Sequence, residues 1–258
     1  KGLATLRRAA SLSSNDTELG GEITNYMRNI FQQIFLGKRA DNVEPLTAVG
    51  IYEEFSELTP PGKRGDKLIR ALDERLVDVD LLGRAADLLS NQVKRRLENE
   101  KAVEVGLRLA GIRLLNNNAG KALEDLELVQ RRLNDVPVEK RTSFQKEYQL
   151  LKARGLSQLG KPDKALTLLD RLEQNEKTMR LRANIAWNAG RWGDAGGALA
   201  DLIKTLGIDE EGPLTEERAE IILNRAVALN LADSRYKLEN MRKRYGERMK
   251  ETKRGRLF

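Results

Sequence analysis

Several short patterns in the chain carry residue types that do chemistry elsewhere. Gly155-Leu-Ser-Gln-Leu-Gly160-Lys161 matches the G-x-x-x-x-G-K of a phosphate-binding loop. Such a loop needs Ser or Thr after the lysine to hold magnesium, a strand before it and an open glycine-rich turn. Here Pro162 follows the lysine, and Leu156–Leu159 read as the end of a helix. Ser143-Phe-Gln-Lys146 matches the S-x-x-K of serine acyl-enzymes, but the companion S-D-N and K-T-G elements are absent. Glu53, Glu54 and Glu57 could pair as acid and base, and Asp209-Glu210-Glu211 could hold a hard cation. Neither group has the ligand count or loop spacing of a calcium or magnesium site. Both read more simply as solvated helix faces. The sequence has no histidine and no cysteine, which removes the commonest general base, the commonest metal ligands and all thiol chemistry. No catalytic, cofactor-binding or metal-ligating constellation survives, and the chain reads as a non-enzyme.

Two further groups suit binding rather than catalysis. Trp187 and Trp192 are the only tryptophans and flank one turn. They would stack on a ligand or, more simply, anchor a hairpin junction, since large aromatics dominate core energetics. Residues 241–258 hold Arg242, Lys243, Arg244, Arg248, Lys250, Lys253, Arg254 and Arg256 against two glutamates. That balance of +6 leaves the other 240 residues near +1 of the total +7. The sequence pI of about 9.5 therefore reports a basic tail on a nearly neutral body. Such a tail would touch phosphate or anionic lipid, or fray as a solvated helix end.

The elements that must position these groups are helical. Leu, Ala, Lys, Arg and Glu dominate, aromatics are 5% and there are six prolines. Pro45, Pro60, Pro61, Pro137, Pro162 and Pro213 all fall between apolar-periodic runs, as they must if those runs are helices. The three- and four-residue spacing predicts helices over 2–10, 18–36, 45–58, 64–78, 81–97, 102–115, 119–133, 138–159, 162–172, 177–189, 191–206, 215–230 and 234–249. Val77-Asp-Val-Asp80 is the nearest thing to a strand and lies between two helical patterns. Short loops make consecutive helices antiparallel neighbours. No apolar run reaches the roughly 18 residues that span a bilayer. Even Ile221–Ala232 is interrupted by Asn224, Arg225 and Asn230. The expected organisation is a basic piece and polar spacer over 1–17, a helical array over 18–240 and the basic tail over 241–258. The chain starts at Lys1 rather than Met, as a fragment or processed product would.

One pattern recurs inside the array. Gly160-Lys-Pro-Asp-Lys-Ala165 and Gly190-Arg-Trp-Gly-Asp-Ala195 share glycine, a bulky third residue and alanine. Ala153 and Ala183 stand twelve residues before each alanine, and Leu169, Leu172, Leu199 and Leu202 follow at plus four and plus seven. Looser copies are Ala110 with Asn117–Ala122, and Asp80–Ala85. Glycine ends the first helix of a pair in a left-handed conformation, Pro162 or Trp192 opens the second, and the alanines allow close approach. This pattern resembles the tetratricopeptide repeat. The resemblance implies an all-α, right-handed superhelical solenoid of antiparallel hairpins and a function in holding other proteins.

A second resemblance covers Pro45 onwards. The runs Pro45–Phe55, Glu57–Pro60, Arg64–Asp66, Ile69-Arg70 and Val79–Leu82 are similar to the C-terminal helical region of large alphaproteobacterial envelope proteins that contain tetratricopeptide repeats. It implies an exported, periplasmic or envelope-associated scaffold in a larger machine such as a secretion or motility apparatus, without catalytic residues or cofactor. The competing expectation is a basic adaptor that docks on nucleic acid or an anionic membrane through 241–258.

Overall fold

Helices run between the breakers that the sequence supplies. The computed structural model of the chain describes residues 2–13, 17–37, 42–95, 97–209 and 212–258. Among these residues it has 13 α-helices, isolated 3-10 turns and no strand. The chain forms two compact units, Lys1–Glu98 and Asn99–Phe258.

The first unit holds α1 (Gly2–Leu12), α2 (Thr17–Leu36), α3 (Pro45–Glu54), α4 (Lys63–Asp78) and α5 (Leu82–Arg95). Pro45 opens α3, where its missing N–H is not needed. Met27, Phe31 and Phe35 of α2 are buried at four-residue steps, and Leu68, Ile69, Leu72 and Leu76 of α4 are buried along one face. Tyr52 lies over Phe31 and edge-on to Phe35, with ring centroids 6.4 Å and 6.3 Å away. The Val77–Asp80 segment is no strand: α4 runs through Asp78, and Asp80 turns the chain. Ser14, Asn15 and Asp16, expected as part of a polar spacer, lie outside the described residues.

The second unit holds α6 (Asn99–Leu115), α7 (Ala119–Arg132), α8 (Val138–Gln158), α9 (Pro162–Asp170), α10 (Glu176–Asn188), α11 (Trp192–Thr205), α12 (Glu216–Leu231) and α13 (Arg235–Lys250). They pack as four consecutive hairpins, α6–α7, α8–α9, α10–α11 and α12–α13, and α8 also touches α6, α7 and α10. Leu126 and Val129 of α7 share a core with Tyr148 of α8. Leu169 of α9 shares one with Ile185 of α10, and Leu199 and Leu202 of α11 with Ile221 and Ile222 of α12.

Every hairpin of this unit, and α4–α5 of the first, turns in the same way. Asp80, Asn117, Gly160, Gly190 and Asp233 adopt φ of 60°, 54°, 70°, 68° and 50°. The next N–H then reaches back five residues: Leu81 to Leu76, Asn118 to Arg113, Lys161 to Leu156, Arg191 to Ala186 and Ser234 to Leu229, all at 2.8–2.9 Å. This closure satisfies carbonyls that a helix end otherwise leaves open. Five residues after each turn stands Ala85, Ala122, Ala165 or Ala195, each fully buried, or Leu238 in the last copy. Seven residues before it stands Asp73, Ala110, Ala153, Ala183 or Ala226, buried in every case.

The glycines of the phosphate-loop look-alike have structural reasons. A Cβ at Gly155 would lie 2.9 Å from Leu123 Cδ2 and 3.4 Å from Leu114 Cδ2, so α8 approaches α6 and α7 closely there. Gly160 holds the left-handed turn.

Ala165→Arg and Ala195→Arg should each lose at least about 3 kcal/mol in urea unfolding, because overpacking adds to burial of an unpaired charge. A wild-type midpoint in either would mean that the alanine does not face its partner helix. At the turns, Asp233→Gly should gain about 0.5–1 kcal/mol and Gly160→Ala should lose about 1 kcal/mol, since only glycine takes positive φ without steric cost. A loss in Asp233→Gly together with a gain in Gly160→Ala in thermal melts would contradict the turn geometry.

Candidate interaction surfaces

Two open concavities lie between the first helices of successive hairpins in the second unit. One, of about 370 Å³, is bounded by the N-terminal half of α8, the connection after α9 and the start of α10. The other, of about 350 Å³, lies between α10 and α12 over a floor of Ala183, Leu199, Leu202 and Ile221. Arg180 crosses the second, at 2.8 Å from both Glu176 and Glu217, and these carboxylates, Glu176 foremost, raise its pKa. The side-chain amides of Asn184 and Asn224 line the same space and make no hydrogen bond among the described residues. Lys146 closes one edge of the first concavity with an ion pair to Glu173 at 2.6 Å, which holds that carboxyl below its ordinary range. Sequence reasoning missed both spaces, because they are made by helices 25–40 residues apart rather than by any local motif.

Successive hairpin ends are also tied. Gln158 Nε2 donates to the carbonyl of Leu114 at 3.0 Å, and Arg191 pairs with Asp163. Trp187 and Trp192 meet edge to face with centroids 5.4 Å apart. Both are half-buried beside the turn at Gly190, and Trp187 packs on Ala186, Ala195 and Ala228.

Residues 241–258 are built into the unit. Met241, Tyr245 and Met249 of α13 are buried in the core shared by α10, α11 and α12, and Phe258 packs against it. Arg244 pairs with Asp209 at 3.2 Å. Arg248 donates to the carbonyls of Gly212 and Ile208 at 2.8 Å and 3.0 Å. Arg254 forks to Glu216 and Glu220 at 2.9 Å and 2.8 Å. The backbone N–H of Lys253 caps Glu216 at 3.0 Å and, with Arg254, lowers that carboxyl's pKa. Lys243 and Lys250 pair within α13 with Glu239 and Glu247. Among the described residues Arg242, Lys253 and Arg256 form no ion pair and have exposed side chains, although the Lys253 charge also acts on Glu216.

The other candidate groups take structural roles. Glu53 faces Arg84 at 3.1 Å, while Glu54 and Glu57 face Arg7 at 2.8 Å and 3.8 Å. Asp209 accepts from the Tyr245 hydroxyl, and Glu210 and Glu211 lie outside the described residues. Lys146 is committed to Glu173 rather than to Ser143. Among the described residues no group of three acidic side chains gathers as a metal site, and no helix is long and apolar enough to cross a membrane. Compared with known proteins, the chain matches no family model and no curated sequence.

Burial pushes the Tyr245 phenol up to about 12, and the Asp209 carboxylate adds to the shift. A raised folded-state pKa means that the unfolded chain releases this proton first. Its contribution to stability should therefore be complete below pH about 10 and fall away between about 10 and 12. Tyr245→Phe should flatten that alkaline decline in denaturation midpoint. An unchanged decline would show that the phenol is not held in its neutral form.

Proposed function

We propose that this chain is a non-catalytic scaffold or assembly subunit whose hairpins stack as a tetratricopeptide-like, right-handed superhelical solenoid and hold another protein. The observation that carries this reading is the repeated turn, flanked in most copies by buried alanines, beside open spaces between successive first helices. Stacked hairpins of this kind present an extended concave surface, suited to a peptide or a partner helix. The free amides of Asn184 and Asn224 supply donors and acceptors that a peptide backbone can use. A bacterial envelope or periplasmic setting, within a secretion or motility assembly, rests on the resemblance of Pro45–Leu82 alone.

The competing reading, a basic adaptor for nucleic acid or anionic membrane, keeps Arg242, Lys253 and Arg256 as exposed cations that form no ion pair among the described residues. Deleting the tail is a poor test of it, because Tyr245 and Met249 belong to the core and loss of a buried methionine costs about 2–5 kcal/mol. Substituting Arg242, Lys253 and Arg256 by glutamine leaves that packing alone.

Affinity capture from cells that make the protein should retain the same partner protein with this triple-glutamine variant, and binding should change little between low and physiological salt. Asn184→Ala with Asn224→Ala should weaken retention. Capture that depends on the three cations, falls steeply with salt and extends to DNA or anionic vesicles would overturn the scaffold reading, because counterion release then supplies the affinity.

A further inference from the structure

The first concavity has a specific origin. The α8 helix has 21 residues and its hairpin partner α9 has nine. The turn at Gly160 aligns the C-terminal end of α8 with the N-terminal end of α9. At about 1.5 Å per residue, α8 overhangs its partner by about 18 Å. The overhang is its N-terminal half, and the chain from Arg171 to Asn175 forms the facing wall.

The charge lining this space is unbalanced. Arg141, Lys146 and Arg171 face one carboxylate, Glu173, which Lys146 already neutralises. Arg141 Nη2 donates to the carbonyls of Asn134 and Val136 at 2.8 Å and 2.9 Å, which fixes the guanidinium without cancelling its charge. Arg171 is exposed, and its side chain forms no ion pair or hydrogen bond among the described residues. Leu150 and Leu172 supply apolar wall beside these cations. A surface that holds two arginines without carboxylates, next to apolar side chains, is complementary to acidic groups carried on an apolar framework.

We infer that the cavity over the α8 overhang is a docking site for an acidic segment of a partner protein, whose carboxylates meet Arg141 and Arg171 while an adjacent apolar side chain lies on Leu150 and Leu172. The inference rests on the scaffold reading and names the partner chemistry of one of its spaces. Arg141 is the held cation and Arg171 the adjustable one. Nucleic acid fits less well, since its bases would find no aromatic platform among the residues that line this space.

The test is selection of a displayed library of random short peptides against the whole chain, followed by titration of the most enriched peptide. Asp and Glu beside Leu, Ile or Phe should be enriched. Arg171→Glu, with folding checked by circular dichroism, should weaken that peptide roughly tenfold or more, as expected when a facing charge is reversed. Arg242→Glu, an exposed cation on α13, should leave its affinity within about twofold. A version of the peptide with lysine for its acidic residues should bind Arg171→Glu better than the unaltered chain. Enrichment of neutral or basic sequences, or of acidic ones indifferent to Arg171→Glu, overturns the inference and leaves the scaffold reading standing. An oligonucleotide that binds through Arg171 while no peptide is enriched overturns both. Failure of any sequence to enrich against the folded chain also overturns both.

Discussion

A backbone hydrogen bond from the residue after each left-handed turn to a carbonyl five residues back underlies the whole arrangement. It ends one helix and aims the chain back along it within a few residues, so the two helices must lie side by side. Everything else about a hairpin follows from that proximity. Residues seven before and five after the turn come to face the partner helix, and only short side chains fit at most of those positions. The turn residue must tolerate positive φ, which glycine does freely and Asp or Asn do at modest cost.

Side-chain bonds add registry to this backbone pattern. Gln158 reaches the end of α6 from α8, and Arg191 links the turn before α11 to the first residues of α9. The pair of Arg113 and Asp125, nearly buried at 2.8 Å, joins α6 to α7. Removing one member of such a pair leaves a desolvated charge, so its value is in fixing which helix faces meet rather than in net attraction. Exposed pairs such as Lys250 with Glu247 contribute little by comparison.

The C-terminal stretch shows how one composition serves two ends. Its cations alternate with Met241, Tyr245 and Met249 at four-residue spacing, so the helix buries an apolar stripe and turns the charge outward. Five of the eight cations then find carboxylates or carbonyls nearby. What looks like a free polycation as a string of letters is, once folded, a packed helix and a short C-terminal stretch in which most cations are paired or hydrogen-bonded.

Periodicity and breakers made the helices legible from sequence, with ends placed to within about four residues of those observed. The clearest two turns were legible because glycine marks them. The turns at Asp80 and Asn117 were seen only through the alanines that follow, and the one at Asp233 was missed because Leu238 stands where alanine stands elsewhere. Those residues pass as ordinary polar loop positions, since nothing in their chemistry announces positive φ. The concavities were not legible at all. Lys146 meets Glu173, and Asn184 comes to lie across from Asn224, through helices that pack together only in three dimensions. Local sequence sets where helices start, stop and present apolar faces, because those effects act within a few residues. Which polar groups converge, and which cations keep or lose their counter-charge, was decided by tertiary packing, because it depends on partners tens of residues away.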